Sequence, residues 1–123
     1  MTSPLIDNLS ERHGFPLLTE AAVDAFIGER ENVVLFFTEN PTQYPESNDV
    51  AVILPELLKA FGGQLDAAVI HRDAERALQP RYGFSQWPAL VFLRRGQHLG
   101  TISRVQSWEH YVREISALLQ ESP

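Results

Sequence analysis

The segment from Tyr82 to Gly96 constrains the fold of this chain more than any other. It reads YGFSQWPALVFLRRG, and its Pro88 has no backbone N–H to donate to a neighbouring strand. The residue before a proline is restricted to extended geometry, so Trp87 and Pro88 must open a strand rather than lie inside one. The apolar run after them has no polar alternation, which is typical of a strand buried on both faces of a sheet that helices cover.

The other apolar patterns predict that strands and helices alternate along the chain. Asn48 or Asp49 is predicted to cap the helix that contains a kink at Pro55, and Asp73 to cap a short helix that Pro80 disturbs. Arg95 and Gly96 form the predicted hairpin turn. Strands are predicted at 15–18, 33–37, 65–70, 89–93 and 98–102, and helices at 4–13, 20–31, 50–61, 74–79 and 108–119.

Length and apolar content predict one globular domain that spans residues 1–123. A chain of 123 residues with 44% hydrophobic residues buries enough surface for a core of its own. No apolar run approaches the roughly 18 residues that a membrane span needs, so no membrane insertion is expected. The N-terminus has neither a basic nor an apolar signal region, and a cytoplasmic location is therefore expected.

Charge and cysteine count exclude several classes of function. The net charge of −6 disfavours nucleic acid as a partner, because its phosphates would be repelled. The chain has no cysteine, which rules out dithiol chemistry, disulfides and thiolate metal sites. The four histidines are too scattered to suggest a metal site, and no cofactor motif occurs, so neither a metal nor a cofactor is expected.

The Tyr-Gly pair, the proline five positions later, the apolar strand, the glycine turn and the final helix together resemble the C-terminal half of the thioredoxin fold. The resemblance implies an α/β protein with a central mixed sheet flanked by helices, with the first helix as an addition. It also implies a cis bond between Trp87 and Pro88. The redox site of that fold would lie in the loop at 39–49, which has no cysteine, and Leu35 takes about the position of its buried acid.

The loop at 39–49 is acidic and contains two prolines, which leaves two interpretations open. In the first, it is a solvated loop whose Asp49 only caps the next helix. In the second, it is a recognition surface whose carboxylates bind arginine guanidinium groups in bidentate pairs. Exposed ion pairs contribute little, so an apolar groove would have to supplement them. The candidate acids are Glu39, Glu46 and Asp49, and the candidate groove residues are Tyr44, Phe84 and Trp87.

A narrower resemblance comes from four strings, which are NP and PESND in the loop, ILPELL in the next helix, and RYGFSQWPALVFL before the hairpin. With the absence of cysteine, they are similar to the hydrogenase-expression family of HyaE/HupG type. The resemblance implies a cytoplasmic accessory protein in maturation of the membrane-bound nickel-iron uptake hydrogenase. It further implies binding of the twin-arginine signal peptide of the small subunit, with roles for Glu39, Glu46, Asp49, Trp87 and Pro88.

The expected function is thus that of a non-catalytic escort chaperone, which could also contact other hydrogenase assembly proteins. One alternative is a structural adaptor that docks folded subunits in an assembly complex and ignores the signal peptide. Another is an enzyme with a carboxylate site, for which the sign would be two acids facing each other in a closed pocket with strongly shifted pKa values.

Overall fold

The structure is a computed structural model that describes residues 3–120. Helices and strands alternate along most of this range, as the apolar patterns predicted. The helices are α1 (Pro4–Glu11), α2 (Glu20–Gly28), α3 (Glu46–Ala60), α4 (Arg72–Tyr82) and α5 (Trp108–Gln120), and the strands are β1 (Leu17–Leu18), β2 (Asn32–Phe37), β3 (Asp66–Ile70), β4 (Ala89–Arg94) and β5 (Gln97–Ser103).

The five strands form one mixed sheet with the order β1-β3-β2-β4-β5. Strands β1, β3 and β2 are parallel, β4 runs antiparallel to β2, and β5 runs antiparallel to β4. Arg95 and Gly96 join the last two strands, and both have positive φ angles, of 50° and 83°. Two consecutive residues with positive φ match the right-handed twist of a hairpin, so the predicted turn is confirmed.

Helices cover both faces of the sheet, which explains why its central strands lack polar alternation. In β2, Val33, Leu35 and Phe37 pack with buried residues of α2 and α4. Val34 and Phe36 pack with buried residues of α1, α3 and α5. Successive residues of a strand point to opposite faces, so a strand buried on both sides must be apolar throughout.

Helix α3 begins earlier than the sequence suggested. Pro45 is its N-cap, with φ of −64° and ψ of −21°, and the helix starts at Glu46. The predicted capping residues, Asn48 and Asp49, therefore lie within its first turn. A proline is well tolerated at a helix start because its φ is already helical. The acidic loop accordingly ends at Pro45.

Helix α4 also differs from the prediction at both ends. The side chain of His71 caps it, since its Nδ1 accepts a hydrogen bond of 3.1 Å from the backbone N–H of Asp73. Asp73 is therefore not the cap. The helix continues past Pro80 to Tyr82, although a proline removes one backbone hydrogen bond. Tyr82 is buried on the same face as Leu78, so packing outweighs the local cost.

The architecture is thioredoxin-like, and α1 is the additional helix, packed on α3. The peptide bond between Trp87 and Pro88 is cis. Within residues 3–120, no helix has the length and apolar character needed to cross a membrane.

Candidate functional site

A groove of about 430 Å³ opens between the loop after β2 and the segment before β4, and we call it the Trp87 groove. Strand pairing brings these two segments together, because Phe37 at the end of β2 lies opposite Ala89 at the start of β4. The groove is lined by Gln43, Tyr44, Pro45, Glu46, Ser85, Gln86, Trp87 and Arg104.

The aromatic part of the groove is a chain of ring contacts that leads from the surface into the core. The rings of Tyr44 and Trp87 lie 5.7 Å apart, and those of Trp87 and Phe84 lie 5.4 Å apart with edge-to-face geometry. Phe84 in turn packs against Phe37 at 4.8 Å. Of the predicted aromatic residues, Tyr44 and Trp87 line the groove, whereas Phe84 is buried and supports Trp87 from below. Pro88 is buried as well.

Glu46 lines the groove, and its carboxylate is bound to its own chain. Arg104 donates from Nε to Oε1 of Glu46 at 3.0 Å and from Nη2 to Oε2, which is a bidentate pair. The backbone N–H of Val105 donates to the same Oε1 at 2.9 Å. These hydrogen bonds, with that of Arg104 the largest, lower the pKa of Glu46. Sequence patterns gave no sign of this pair, because 58 positions separate its members.

The other two predicted acids do not line the groove. Glu39 has a positive φ of 48°, and its carboxylate pairs with Arg72 at 3.3 Å. Asp49 is exposed on α3, three residues after Glu46, and it has no salt bridge within residues 3–120. The structure therefore brings Tyr44, Glu46 and Trp87 together and leaves Glu39 and Asp49 beside them.

A fourth acid, Glu75 of α4, was missed by the sequence reasoning and lies behind the groove. Only 2% of its surface is exposed. Its Oε2 accepts a hydrogen bond of 2.9 Å from the backbone N–H of Glu39, and its Oε1 accepts one of 3.0 Å from Nε1 of Trp87. Burial raises the pKa of Glu75 to about 7. Its burial could have been predicted from its spacing, since Glu75 shares a helical face with Leu78 and Tyr82.

The groove offers an aromatic surface beside a carboxylate that holds a guanidinium group. This combination suits a peptide with arginine and apolar side chains. In the part of the chain that the structure describes, no three His, Asp or Glu residues are placed to hold a metal ion together.

Comparisons with known proteins give a consistent family. Residues 5–111 match the family model described as Hydrogenase-1 expression protein HyaE. The chain is 44% identical over 123 residues to the hydrogenase expression/formation protein HupG of Rhizobium leguminosarum bv. viciae, covering 97% of this chain and 83% of that protein. It is 48% identical over 119 residues to the hydrogenase expression/formation protein HoxO of Azotobacter vinelandii, covering 97% of this chain and 80% of that protein.

A solved structure resembles the chain in both sequence and fold. It is a crystal structure given as the hydrogenase expression/formation protein HupG of Rhodopseudomonas palustris CGA009, with a TM-score of 0.61 and 42% sequence identity. The match covers 85% of this chain and 94% of that one. The chain therefore belongs to the HyaE/HupG family of hydrogenase expression/formation proteins and has a role in hydrogenase maturation.

Proposed function

We propose that this chain is a non-catalytic cytoplasmic chaperone in maturation of the membrane-bound nickel-iron uptake hydrogenase. It binds the twin-arginine signal peptide of the hydrogenase small subunit, and the Trp87 groove is the binding site. Family membership supports the hydrogenase role, since the relatives are named expression/formation proteins. The choice of ligand is supported by the chemistry of the groove.

The observation that carries the proposal is the bidentate pair between Glu46 and Arg104 at the groove surface. In this pair the Glu46 carboxylate accepts two hydrogen bonds from one guanidinium group, a bidentate arrangement that a lysine cannot reproduce. Tyr44 and Trp87 lie in the same groove. A peptide arginine that replaces Arg104 would place the apolar residues after it against these two rings.

The remaining predicted residues have supporting roles in this proposal. Asp49 lies three residues after Glu46 on α3, which puts both carboxylates on neighbouring positions of one helix face. It is the candidate partner of the second arginine. Phe84 and Pro88 form the buried backing of the Trp87 wall. Glu39 does not line the groove and its carboxylate pairs with Arg72, so it contributes through its backbone N–H, which donates to Glu75.

A non-catalytic role is supported by how the acids near the groove are engaged. Glu75 faces a peptide N–H and an indole N–H. Glu39 and Glu46 are each paired with an arginine. This arrangement holds side chains and loops in place, and it differs from two carboxylates that face each other across a reacting group.

Fluorescence anisotropy with a labelled twin-arginine signal peptide tests the proposal. We expect saturable binding that weakens as salt rises, because the arginine contacts are exposed and screened. A peptide with lysines in place of both arginines should bind severalfold more weakly. An adaptor would instead copurify with folded hydrogenase subunits and ignore the peptide, and absence of binding at low salt would therefore contradict the proposal.

Two matched pairs of variants locate the site. Trp87→Ala removes the aromatic wall and should weaken binding roughly 30-fold, whereas Trp108→Ala, on the exposed first turn of α5, should leave it unchanged. Glu46→Gln should weaken binding severalfold, and Glu109→Gln, also in a first helical turn, serves as its control. Equal losses of peptide affinity within either pair would show that the Trp87 groove is not the binding site. Circular dichroism verifies that each variant is folded.

A further inference from the structure

Glu75 is a buried acid that makes none of the proposed contacts to the peptide. It is 2% exposed and lies on the face of α4 that packs against the sheet, with Leu78 and Tyr82. A carboxylate in such a place is costly unless hydrogen bonds compensate for the lost water. The hydrogen bonds that its two carboxylate oxygens accept must therefore account for its position on an otherwise apolar helix face.

The two oxygens hold the two walls of the Trp87 groove. Oε2 accepts from the backbone N–H of Glu39, at the start of the loop that carries Tyr44. Oε1 accepts from Nε1 of Trp87, in the segment before β4. The two donors are 48 positions apart in sequence and belong to different segments, and one side chain of α4 joins them.

Only the ionised carboxylate satisfies both donors fully. It has two acceptor oxygens and no proton, whereas a glutamine amide replaces one oxygen by a donor and a neutral carboxylic acid turns one oxygen into a weakly accepting hydroxyl. The amide would place a donor opposite a donor, and the neutral acid would weaken one of the two hydrogen bonds, which is unfavourable in a buried position.

We propose that Glu75 is a positioning residue that fixes the indole of Trp87 relative to the loop carrying Tyr44, and so sets the shape of the groove. The link from this tie to ligand affinity rests on the proposed function, but the tie itself does not. Trp87 also contacts Tyr44 and Phe84, so a shift of the indole would change the ring surface on which a ligand packs.

The surroundings of Glu75 make this tie sensitive to pH near neutrality. Burial raises its pKa to about 7, and the Glu39 carboxylate adds to the rise while the N–H donors oppose it. Arg72 pairs with that Glu39 carboxylate from the first turn of α4. On the other side, Glu75 meets the indole of Trp87. As pH falls from 8 to 6, Glu75 takes up a proton and one of its two accepted hydrogen bonds is weakened.

The test follows the indole N–H resonance of Trp87 by NMR in the protein without peptide. A Trp108→Phe background leaves Trp87 as the single tryptophan of the chain. We expect the resonance to titrate between pH 6 and 8 with a midpoint near 7, and to lose this transition in Glu75→Gln. Asp73→Asn makes the same charge change at an exposed position of α4 and should keep the transition. An indole resonance that does not titrate, or that titrates equally in Glu75→Gln, would overturn the proposal.

Peptide affinity provides the second readout. At pH 8, Glu75→Gln should weaken binding about threefold to tenfold, as expected for one lost hydrogen bond, and should match the wild-type protein at pH 6. Wild-type affinity should fall by a similar factor between pH 8 and pH 6. If wild-type protein binds no peptide, the proposed function fails and the indole titration alone decides the role of Glu75. If the indole titrates while affinity stays constant, Glu75 does not shape the ligand site.

Discussion

Glu46 and Glu75 each tie parts of the Trp87 groove together, and their surroundings shift their pKa values in opposite directions. Hydrogen bonds from Arg104 and Val105 lower the pKa of Glu46. Burial raises the pKa of Glu75 to about 7 despite two N–H donors. Partners with a positive charge favour the ionised form, whereas desolvation disfavours it. Glu46 therefore stays ionised at neutral pH, while Glu75 is near its midpoint.

The raised pKa of Glu75 predicts how it acts on stability. The unfolded chain releases this proton near the ordinary pKa of 4.5, and the folded chain keeps it until about pH 7. The folded state binds more protons between these values, so stability from Glu75 is present below pH 4.5 and is lost as pH rises to 7. The shift corresponds to about 3 kcal/mol.

Urea denaturation of wild-type protein and Glu75→Gln between pH 4.5 and pH 8 measures this contribution. The free energy of unfolding of the variant, relative to wild type, should rise by about 3 kcal/mol across this range. Other acids, including Glu46, titrate in both proteins and cancel in the difference. A difference that stays constant with pH would show that Glu75 has an ordinary pKa.

At the residue scale, the sequence identified groove residues where the residue type and its neighbours indicate the environment of the side chain. Trp87 and Tyr44 were candidates because large aromatic residues flank prolines in segments that the fold brings together. Arg104 could not be identified, since its partner Glu46 lies far away in sequence. Glu75 was missed because an acid in a helix is normally exposed, and only its spacing from Leu78 indicated burial.

At the element scale, the segment between β5 and α5 brings Arg104 to the groove. Arg104 has a positive φ of 66°, and its backbone N–H donates to the carbonyl of Pro88 at 2.7 Å. The buried Tyr111 of α5 holds the same segment. Its hydroxyl donates to the carbonyl of Arg104 at 3.1 Å and accepts from the N–H of Gln106 at 3.2 Å. Burial raises the pKa of Tyr111, so the hydroxyl stays protonated and can donate.

The two hydrogen bonds of the Tyr111 hydroxyl predict that its removal lowers stability more than removal of the Tyr82 hydroxyl does. Tyr111→Phe removes both hydrogen bonds and should lower the free energy of unfolding by about 1–2 kcal/mol. Tyr82→Phe is the matched control, because no hydrogen bond of normal geometry reaches the buried hydroxyl of Tyr82 among residues 3–120, and the guanidinium of Arg81 that interacts with it also pairs with Asp24 at the surface. Its replacement should change stability by less than about 0.5 kcal/mol. Thermal or urea unfolding of both variants provides the values, and equal losses would contradict the assigned role.

The elements themselves were predictable to different degrees. Continuous apolar runs identified β2, β3 and β4, because strands buried on both faces leave a strong pattern. The start of α3 was placed too late, since Pro45 reads as a loop residue in sequence and serves as an N-cap in the structure. The start of α4 was also misplaced, because the cap is a histidine side chain rather than the neighbouring Asp73.

At the scale of the whole molecule, the fold explains why the groove lies where it does. Strands β2 and β4 are antiparallel neighbours, so the end of one and the start of the other meet at one edge of the sheet. The segments at this edge supply Tyr44 and Trp87, the first turn of α3 supplies Glu46, and α4 supplies Glu75 beneath them. The net charge of −6 adds a long-range attraction for a basic peptide, which salt should weaken.

An NMR titration of the labelled protein with the twin-arginine signal peptide decides whether the Trp87 groove is the peptide site. We expect chemical-shift changes concentrated at Tyr44, Glu46, Ser85 to Trp87 and Arg104. A second cavity, of about 220 Å³ and lined by Leu17, Ile70 and His71 among others, should remain unchanged and serves as the internal reference. Shifts centred on that second cavity, or no shifts at saturating peptide, would contradict the claim that the Trp87 groove is the peptide site.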